Sequence, residues 1–224
     1  SITSQVRANQ TAGTSIASFT GTNAVATVAH GLNAAPEFIA VKNRDDTASW
    51  MVYHSKLTSA AYYLSFNDGD PEQSASSVWN STTPTNSVFT VGADNESNGS
   101  GDDMIAYCFA PVEGYSAFNK FTGNGSADGP FVFTGFKPRF LLLKRIDSSS
   151  SWRIFDTARE THNVQDALLF PNESSAETES SSYYTDILSN GFKLRTSNTH
   201  LNASGGTYVF AAFAEHPFKT ARAR

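Results

Sequence analysis

The sequence predicts an all-β protein made of two tandem β-sandwich domains, of jelly-roll or lectin-like type, related by internal duplication. Two observations support this prediction. The segment from Phe19 to about Pro111 recurs in register from Phe121 to about Glu215. The apolar runs are short, rich in aromatic and β-branched residues, and bounded by Asn, Asp and Gly, which is typical of short strands joined by turns.

Matching phrases define the repeat. Phe19-Thr20-Gly21 recurs as Phe121-Thr122-Gly123, and Pro36-Glu37-Phe38 recurs as Pro138-Arg139-Phe140. The same spacing relates further pairs: Lys42 and Lys144, Asp45 and Asp147, Trp50 and Trp152, Tyr53 and Phe155. A repeat of this length exceeds a solenoid unit and is long enough to be a domain.

The repeat also predicts the domain boundaries. Copy one is expected at 19–115 and copy two at 116–218. Residues 1–18 are polar without a strong period, so we predict a linker, or an arm that packs on a neighbour. Residues 219–224 form a basic C-terminal tail.

Each copy has its own series of candidate strands. In copy one they are 38–41, 50–53, 62–66, 88–91 and 104–109; in copy two they are 131–133, 140–145, 152–155, 167–170, 191–194 and 208–214. In the last strand of copy one, large Ile105 and Tyr107 alternate with small Ala106 and Cys108. Such alternation predicts a strand packed on both faces.

Charge and hydropathy exclude several classes of partner. The formal net charge is -5 and only 17% of residues are charged. This disfavours nucleic-acid binding, which needs a basic face, and polybasic attachment to a membrane. Apolar runs are too short for a transmembrane helix. We therefore predict neither a nucleic-acid partner nor membrane insertion.

The repeat argues against chemistry at the reactive side chains. Cys108 corresponds to Ala212, His30 to Thr134 and His54 to Asp156, so the shared fold needs none of the three. The chain also lacks the Gly-x-Ser-x-Gly elbow of serine hydrolases. The prediction is a protein that is not an enzyme and has no catalytic residues.

Two acidic stretches keep other chemistries open. Glu173, Glu177 and Glu179 could supply the carboxylate pair of a glycosidase, although they lie in a serine-rich stretch that resembles a loop. The loop 94–103 holds many oxygen ligands of the kind calcium prefers, but its counterpart in copy two, 196–206, has no carboxylate. We therefore expect turn formation there, with no metal and no cofactor.

Three aromatic residues are candidates for contact with a receptor. Trp50 and Trp152 are a repeated pair and are assigned to the shared framework. Trp79 has no tryptophan counterpart and aligns near Tyr183 and Tyr184. Because aromatic rings stack on sugar faces, Trp79, Tyr183 and Tyr184 are the receptor-binding candidates.

Several phrases resemble a domain common in tailed-bacteriophage virion proteins. They include Val28-Ala29-His30-Gly31-Leu32, Ala106-Tyr107-Cys108-Phe109-Ala110 and Asn190-Gly191-Phe192-Lys193-Leu194-Arg195. The resemblance covers most of the chain after about residue 18. It implies a tail-fibre or other structural protein located in the virion, with the host-facing end of the tail favoured. It supplies no catalytic residues.

Three functions follow as hypotheses. The first is a tail-fibre or receptor-binding module that recognises a bacterial surface glycan or protein without catalysis. It would act as a homo-oligomer, preferably a trimer, alongside other virion tail proteins. The second is a purely structural baseplate, collar or capsid-decoration protein that binds virion subunits. The third is a glycan-degrading tailspike.

Overall fold

The computed structural model describes residues 1–216 and is all-β, with 42% strand and 7% helix. The chain forms two compact units. Unit 1 comprises Ser1–Asn67 and Glu72–Val112, and unit 2 comprises Asp68–Pro71 and the chain from Glu113 onward. The predicted basic tail, 219–224, lies outside the described residues. No helix within 1–216 is long and apolar enough to cross a membrane.

Unit 1 is built on one large antiparallel sheet. Its strands are β1 (Ser4–Asn9), β2 (Thr14–Thr20), β3 (Ala26–Ala29), β4 (Phe38–Asn43), β5 (Met51–His54), β6 (Tyr62–Ser65), β7 (Gln73–Ser74), β8 (Val88–Val91) and β9 (Asp103–Phe109). The helices are α1 (Ser76–Trp79) and α2 (Asn95–Asn98). The seven-stranded sheet has the order β1-β2-β9-β4-β5-β6-β7, and β3 pairs with β8 separately.

Unit 2 distributes its strands over three smaller sheets. They are β10 (Ser116–Thr122), β11 (Phe131–Phe133), β12 (Pro138–Arg145), β13 (Arg153–Asp156), β14 (Ala167–Leu168), β15 (Thr178–Glu179), β16 (Thr185–Leu188), β17 (Gly191–Leu194) and β18 (Thr207–Ala214). Helix α3 spans Thr199–Asn202, and Ser181–Tyr183 forms a 3₁₀ turn. The sheet orders are β10-β18-β12-β13, β11-β17-β16 and β14-β15.

The central strands of the two units pair in the same order and register. In unit 1, Phe38 of β4 lies opposite Phe109 of β9 and His54 of β5. In unit 2, Phe140 of β12 lies opposite Phe213 of β18 and Asp156 of β13. We call two residues equivalent when they occupy the same position in this register. His54 and Asp156 are therefore equivalent, as the sequence alignment predicted.

The N-terminal segment differs from its prediction. Residues 1–18 are not a linker: β1 pairs with β2 along its whole length, and Ile2 donates its N–H to the Thr27 carbonyl at 2.8 Å. The inward side chains of β2 include small ones, Ser15 and Ala17. Small inward residues give little hydrophobic periodicity, which is why the sequence pattern missed these strands.

Each unit buries its own apolar core. In β9 the small side chains of Ala106 and Cys108 face the core of unit 1, while Tyr107 on the opposite face contacts Trp50 with ring centroids 5.9 Å apart. Burial raises the pKa of the Cys108 thiol to about 12, so the thiol stays protonated and unreactive in the folded protein. Trp152 is buried in unit 2, whereas Trp50 is half-buried.

The acidic loop 94–103 forms a short helix. Asp94 caps α2 by accepting a hydrogen bond from the Glu96 N–H at 3.0 Å. At the end of α2, the buried Asn98 side chain accepts from the Thr22 N–H at 2.8 Å and donates to the Gly92 carbonyl at 2.8 Å. The polar residues of this loop thus satisfy backbone groups. Within 1–216, no group of three or more His, Cys, Asp or Glu residues is placed to hold a metal ion.

Candidate functional site

The structure corrects the expectation for Trp79. Its side chain is 2% exposed and packs edge-on against Tyr53 in the core of unit 1, with ring centroids 6.1 Å apart. The short helix α1 turns Val78 and Trp79 inward together. A ring buried in this way cannot stack on a receptor, so Trp79 has a role in stability. Trp79 was predicted as a receptor contact because it has no tryptophan counterpart in copy two, and this difference does not distinguish a surface ring from a core ring.

The two tyrosines have different surroundings. Tyr184 is 37% exposed and lies just after the 3₁₀ turn, in the segment that leads into β16. Tyr183 is partly buried and packs edge-on against Phe170, with ring centroids 6.2 Å apart. Of the three predicted receptor-binding residues, Tyr183 lines a pocket of the described structure.

This pocket lies in unit 2 and has a volume of about 530 Å³. That size falls within the range of sites for small organic ligands. Hydroxyls, aromatic rings and charges meet in it. The lining residues that matter for its chemistry are Ser151, Arg153, Phe170, Glu173, Tyr183 and His200. We call this group the arginine pocket.

Arg153 is the central group of the arginine pocket. It is the first residue of β13 and is 4% exposed. Its Nη1 donates to the Ser150 hydroxyl at 2.7 Å and to the Ser151 carbonyl at 2.6 Å. Its Nε is buried and has no hydrogen-bond partner in residues 1–216. One edge of the guanidinium is thus fixed by the chain, and the Nε proton is left unsatisfied.

Aromatic rings hold the guanidinium in place. Its Cζ lies 5.4 Å from the centre of the Phe170 ring and 5.9 Å from the centre of the Tyr183 ring. Such contacts between a cation and an aromatic face are favourable when water is excluded. Burial lowers the pKa of Arg153, but arginine does not deprotonate in proteins. The site therefore keeps a positive charge at neutral pH.

The residue equivalent to Arg153 is apolar. Arg153 lies opposite Leu143 of β12, and Met51 lies opposite Val41 of β4, in the same register. Met51 is buried in the core of unit 1. Sequence analysis missed Arg153 because it examined aromatic and acidic residues. The mismatch between Met51 and Arg153 in the aligned copies was the available signal.

A second buried cation lies near Arg153. Lys144 donates from Nζ to the carbonyls of Gly69, at 3.2 Å, and Arg145, at 2.9 Å. The pKa of Lys144 is lowered to about 8, chiefly by burial; Asp68 and Asp70 oppose this shift, and the positive charges of Arg153 and Arg145 add to it. Lys144 is therefore still mostly protonated at pH 7. The two buried cations add to the positive potential beneath the pocket.

Glu173 supplies a negative group near the pocket opening. Its carboxylate accepts hydrogen bonds from the hydroxyls of Ser151 and Ser175. These bonds lower the pKa of Glu173, so it is ionised at neutral pH. His200 is exposed, and partial burial together with the charges of Arg153 and Arg145 lowers its pKa, which leaves the ring neutral at pH 7.

The other carboxylates considered for glycosidase chemistry are arranged differently. Glu177 forms a two-point pair with Arg159, whose Nη2 lies 2.6 Å from Oε2, and this pair lowers the pKa of Glu177. A glycosidase acid needs the opposite shift, because it must hold its proton near neutral pH. Glu179 is exposed on β15. The pocket is better suited to holding a polar ligand with hydrogen bonds.

Comparison with known proteins gives one match. A search of curated proteins and a search of solved structures return no significant match. A family model described as "Domain of unknown function (DUF7483)" matches residues 1–217. The match covers both units, including the arginine pocket in unit 2 and the segment 1–18 that forms β1 and part of β2. This chain therefore belongs to the DUF7483 family.

Proposed function

We propose that this protein is a non-catalytic host-recognition module of a tailed-bacteriophage fibre, and that it binds a saccharide of the bacterial surface in the arginine pocket. The observation that favours this function is the position of Arg153. A charged side chain is buried on the wall of an open pocket, in contact with two adjacent aromatic rings and next to hydroxyls. A pocket that combines hydrogen-bond donors, hydrogen-bond acceptors and aromatic rings has the groups needed to bind a sugar.

The proposal includes an origin by duplication. Two tandem copies of one β-sandwich, joined near residue 113, account for the repeated phrases and for the shared register of the central strands. Duplication lets one copy keep the scaffold while the other changes. Met51 fills the core of copy one, and copy two places Arg153 at the equivalent position. A buried charge lowers stability, which favours a functional reason for keeping it.

The proposal includes binding through several copies of the arginine pocket at once. The arginine pocket is open and partly solvated, so one pocket is expected to bind weakly. A homo-oligomer, with a trimer preferred, presents several pockets together and raises the overall avidity without new contacts. In this proposal the protein is located in the virion, at the host-facing end of the tail, and contacts other tail proteins.

The test is binding of the purified protein to host cells. Arg153→Met introduces the residue found at the equivalent position in unit 1, so the variant is expected to fold. We expect its binding to fall at least about tenfold, which corresponds to the loss of one good charged contact. Arg159→Met is the matched control, because it removes an exposed arginine outside the pocket.

Two results would contradict the proposal. Unchanged cell binding by a folded Arg153→Met variant would exclude the arginine pocket as the receptor site. Equal binding to cells with and without surface polysaccharide would exclude a saccharide receptor. Release of oligosaccharides from host polysaccharide would instead establish the tailspike hypothesis.

A second function, structural assembly within the virion, is favoured by one surface. On β11, Phe131 is 45% exposed and Phe133 is 65% exposed, while Val132 between them faces the core. Exposed aromatic residues on one side of an edge strand are typical of a protein contact. If this surface holds subunits together, Phe131→Ser with Phe133→Ser will shift the sedimentation of the protein to a smaller species. Unchanged sedimentation would leave this surface without an assembly role.

A further inference from the structure

We infer that the ligand of the arginine pocket is an acidic saccharide, whose carboxylate pairs with Arg153. This inference rests on the proposed function, because it specifies which class of surface saccharide the pocket selects. It predicts a uronic acid or a related sugar acid in the host polysaccharide. Neutral saccharides of the same size would bind weakly.

The first argument is the lack of a charge partner. Arg145, Arg159 and Arg195 each form an ion pair with a carboxylate at 3.0 Å or less. Arg153 is more deeply buried than these, yet no carboxylate lies within ion-pair distance of it in the described part of the chain. A buried charge without a partner lowers stability. A ligand carboxylate would supply the missing partner.

The charges around Arg153 favour the binding of an additional anion. The positive charge of Arg153 lowers the pKa of Lys144, and the nearby negative charge of Glu173 favours the charged form of Arg153. The negative charges of Asp68 and Asp70 raise the pKa of Lys144. The carboxylate oxygens of Glu173 are already bound to the hydroxyls of Ser151 and Ser175. The guanidinium of Arg153 is therefore the group in this pocket that an additional anion would stabilise most.

The geometry of the Arg153 guanidinium favours a carboxylate as its ligand group. A guanidinium pairs with a carboxylate in the plane of its N–H groups, and that geometry is specific. Hydrogen bonds from Nη1 to Ser150 and Ser151, together with contacts to the rings of Phe170 and Tyr183, position the Arg153 guanidinium in advance. The pocket volume of about 530 Å³ leaves room for the sugar ring that bears the acid. Hydroxyls of that ring would then reach the Glu173 side of the pocket.

The effect of Glu173→Gln is expected to differ between an acidic and a neutral ligand. A neutral saccharide would depend on Glu173 as a hydrogen-bond acceptor, so Glu173→Gln would weaken its binding. An acidic saccharide would be repelled by the Glu173 charge. Glu173→Gln would remove this repulsion, so the preference for an acidic over a neutral saccharide would rise, particularly at low salt, where charge repulsion is least screened.

The experiment is a titration of the full chain with two matched ligands. One is an oligosaccharide from the host polysaccharide that contains uronic acid. The other is the same oligosaccharide after chemical reduction of its carboxyl groups to alcohols. We expect the wild-type protein to bind the reduced form at least about tenfold more weakly, as for loss of a charged hydrogen-bonded contact. In Arg153→Met the two forms should bind equally, and Arg153→Lys should restore part of the preference.

The outcomes distinguish a failure of the inference that the ligand is acidic from a failure of the proposed receptor site. If wild type binds both forms equally and Arg153→Met weakens both, the pocket binds saccharide and the acidic class is wrong. If Glu173→Gln lowers the preference for the acidic form over the reduced form, the acidic class is also wrong. If no host oligosaccharide binds wild type, or if Arg153→Met binds like wild type, the proposed receptor site is wrong.

Discussion

Replacing Trp79 by alanine is expected to lower the free energy of unfolding by about 3–5 kcal/mol, the cost of removing a large side chain from a packed core. The indole is 2% exposed and packs against Tyr53. Urea denaturation followed by circular dichroism measures the change. Binding to host cells should persist under conditions in which the variant remains folded, because the ring does not line the arginine pocket.

The conservative variant Trp79→Phe serves as the control. It keeps an aromatic ring and removes the indole N–H, which has no hydrogen-bond partner in residues 1–216. We expect a loss of stability well below that of the alanine variant. A fall in stability of less than about 1 kcal/mol in Trp79→Ala would contradict the core position, since surface substitutions have effects of that size.

Replacing Asn202 by alanine is expected to lower the free energy of unfolding by about 3 kcal/mol, because several backbone groups lose their partner together. The buried Asn202 side chain accepts from the Asn124 N–H at 2.7 Å and donates to the carbonyls of Ser126 and Thr196, each at 2.8 Å. Water replaces these bonds poorly inside the protein. Thermal unfolding measured by calorimetry tests the expectation.

The control for this prediction is Asn119→Ala. Asn119 is exposed on β10, and its side chain accepts a hydrogen bond from the adjacent Lys120 N–H at 2.9 Å. Its replacement should change stability by about 0.5 kcal/mol or less. Equal effects of Asn202→Ala and Asn119→Ala would contradict the role assigned to the buried asparagine. Asn98 ends α2 in unit 1 as Asn202 ends α3 in unit 2, and it too bonds backbone groups, so it is expected to behave like Asn202.

The all-β class could be predicted from the sequence, because short apolar runs bounded by turn residues are typical of strands. The alternation around Cys108 located β9, and its match with Ala212 identified a small core position in both units. The alignment of His54 with Asp156 agrees with the observed strand register. These residues were predictable because the spacing along a strand fixes which side chains face the core.

The N-terminal strands could not be predicted from their own pattern. The polar segment 1–18 has few large apolar residues, and β1 is held by pairing with β2 and by the bond between Ile2 and Thr27. The β1–β2 hairpin joins the sheet through pairing of β2 with β9, whose residues are distant in sequence. Backbone pairing can therefore define a strand where side-chain periodicity is weak.

The candidate site was only partly predictable. Tyr183 was chosen for its ring, and it does line a pocket. Trp79 was chosen for the same reason and is buried, because a four-residue helix turns it inward. Arg153 was missed, since a lone arginine in a strand has no motif. Its importance is visible only when its burial, its aromatic neighbours and its equivalence to Met51 are considered together.

The most direct test of the proposed receptor site is a crystal structure of the full chain with an oligosaccharide from the host surface. The account predicts a sugar ring in the arginine pocket, with an acidic group within hydrogen-bond distance of Arg153 and hydroxyls towards Glu173. A saccharide bound elsewhere, for example on the exposed phenylalanines of β11, with the arginine pocket empty, would contradict it.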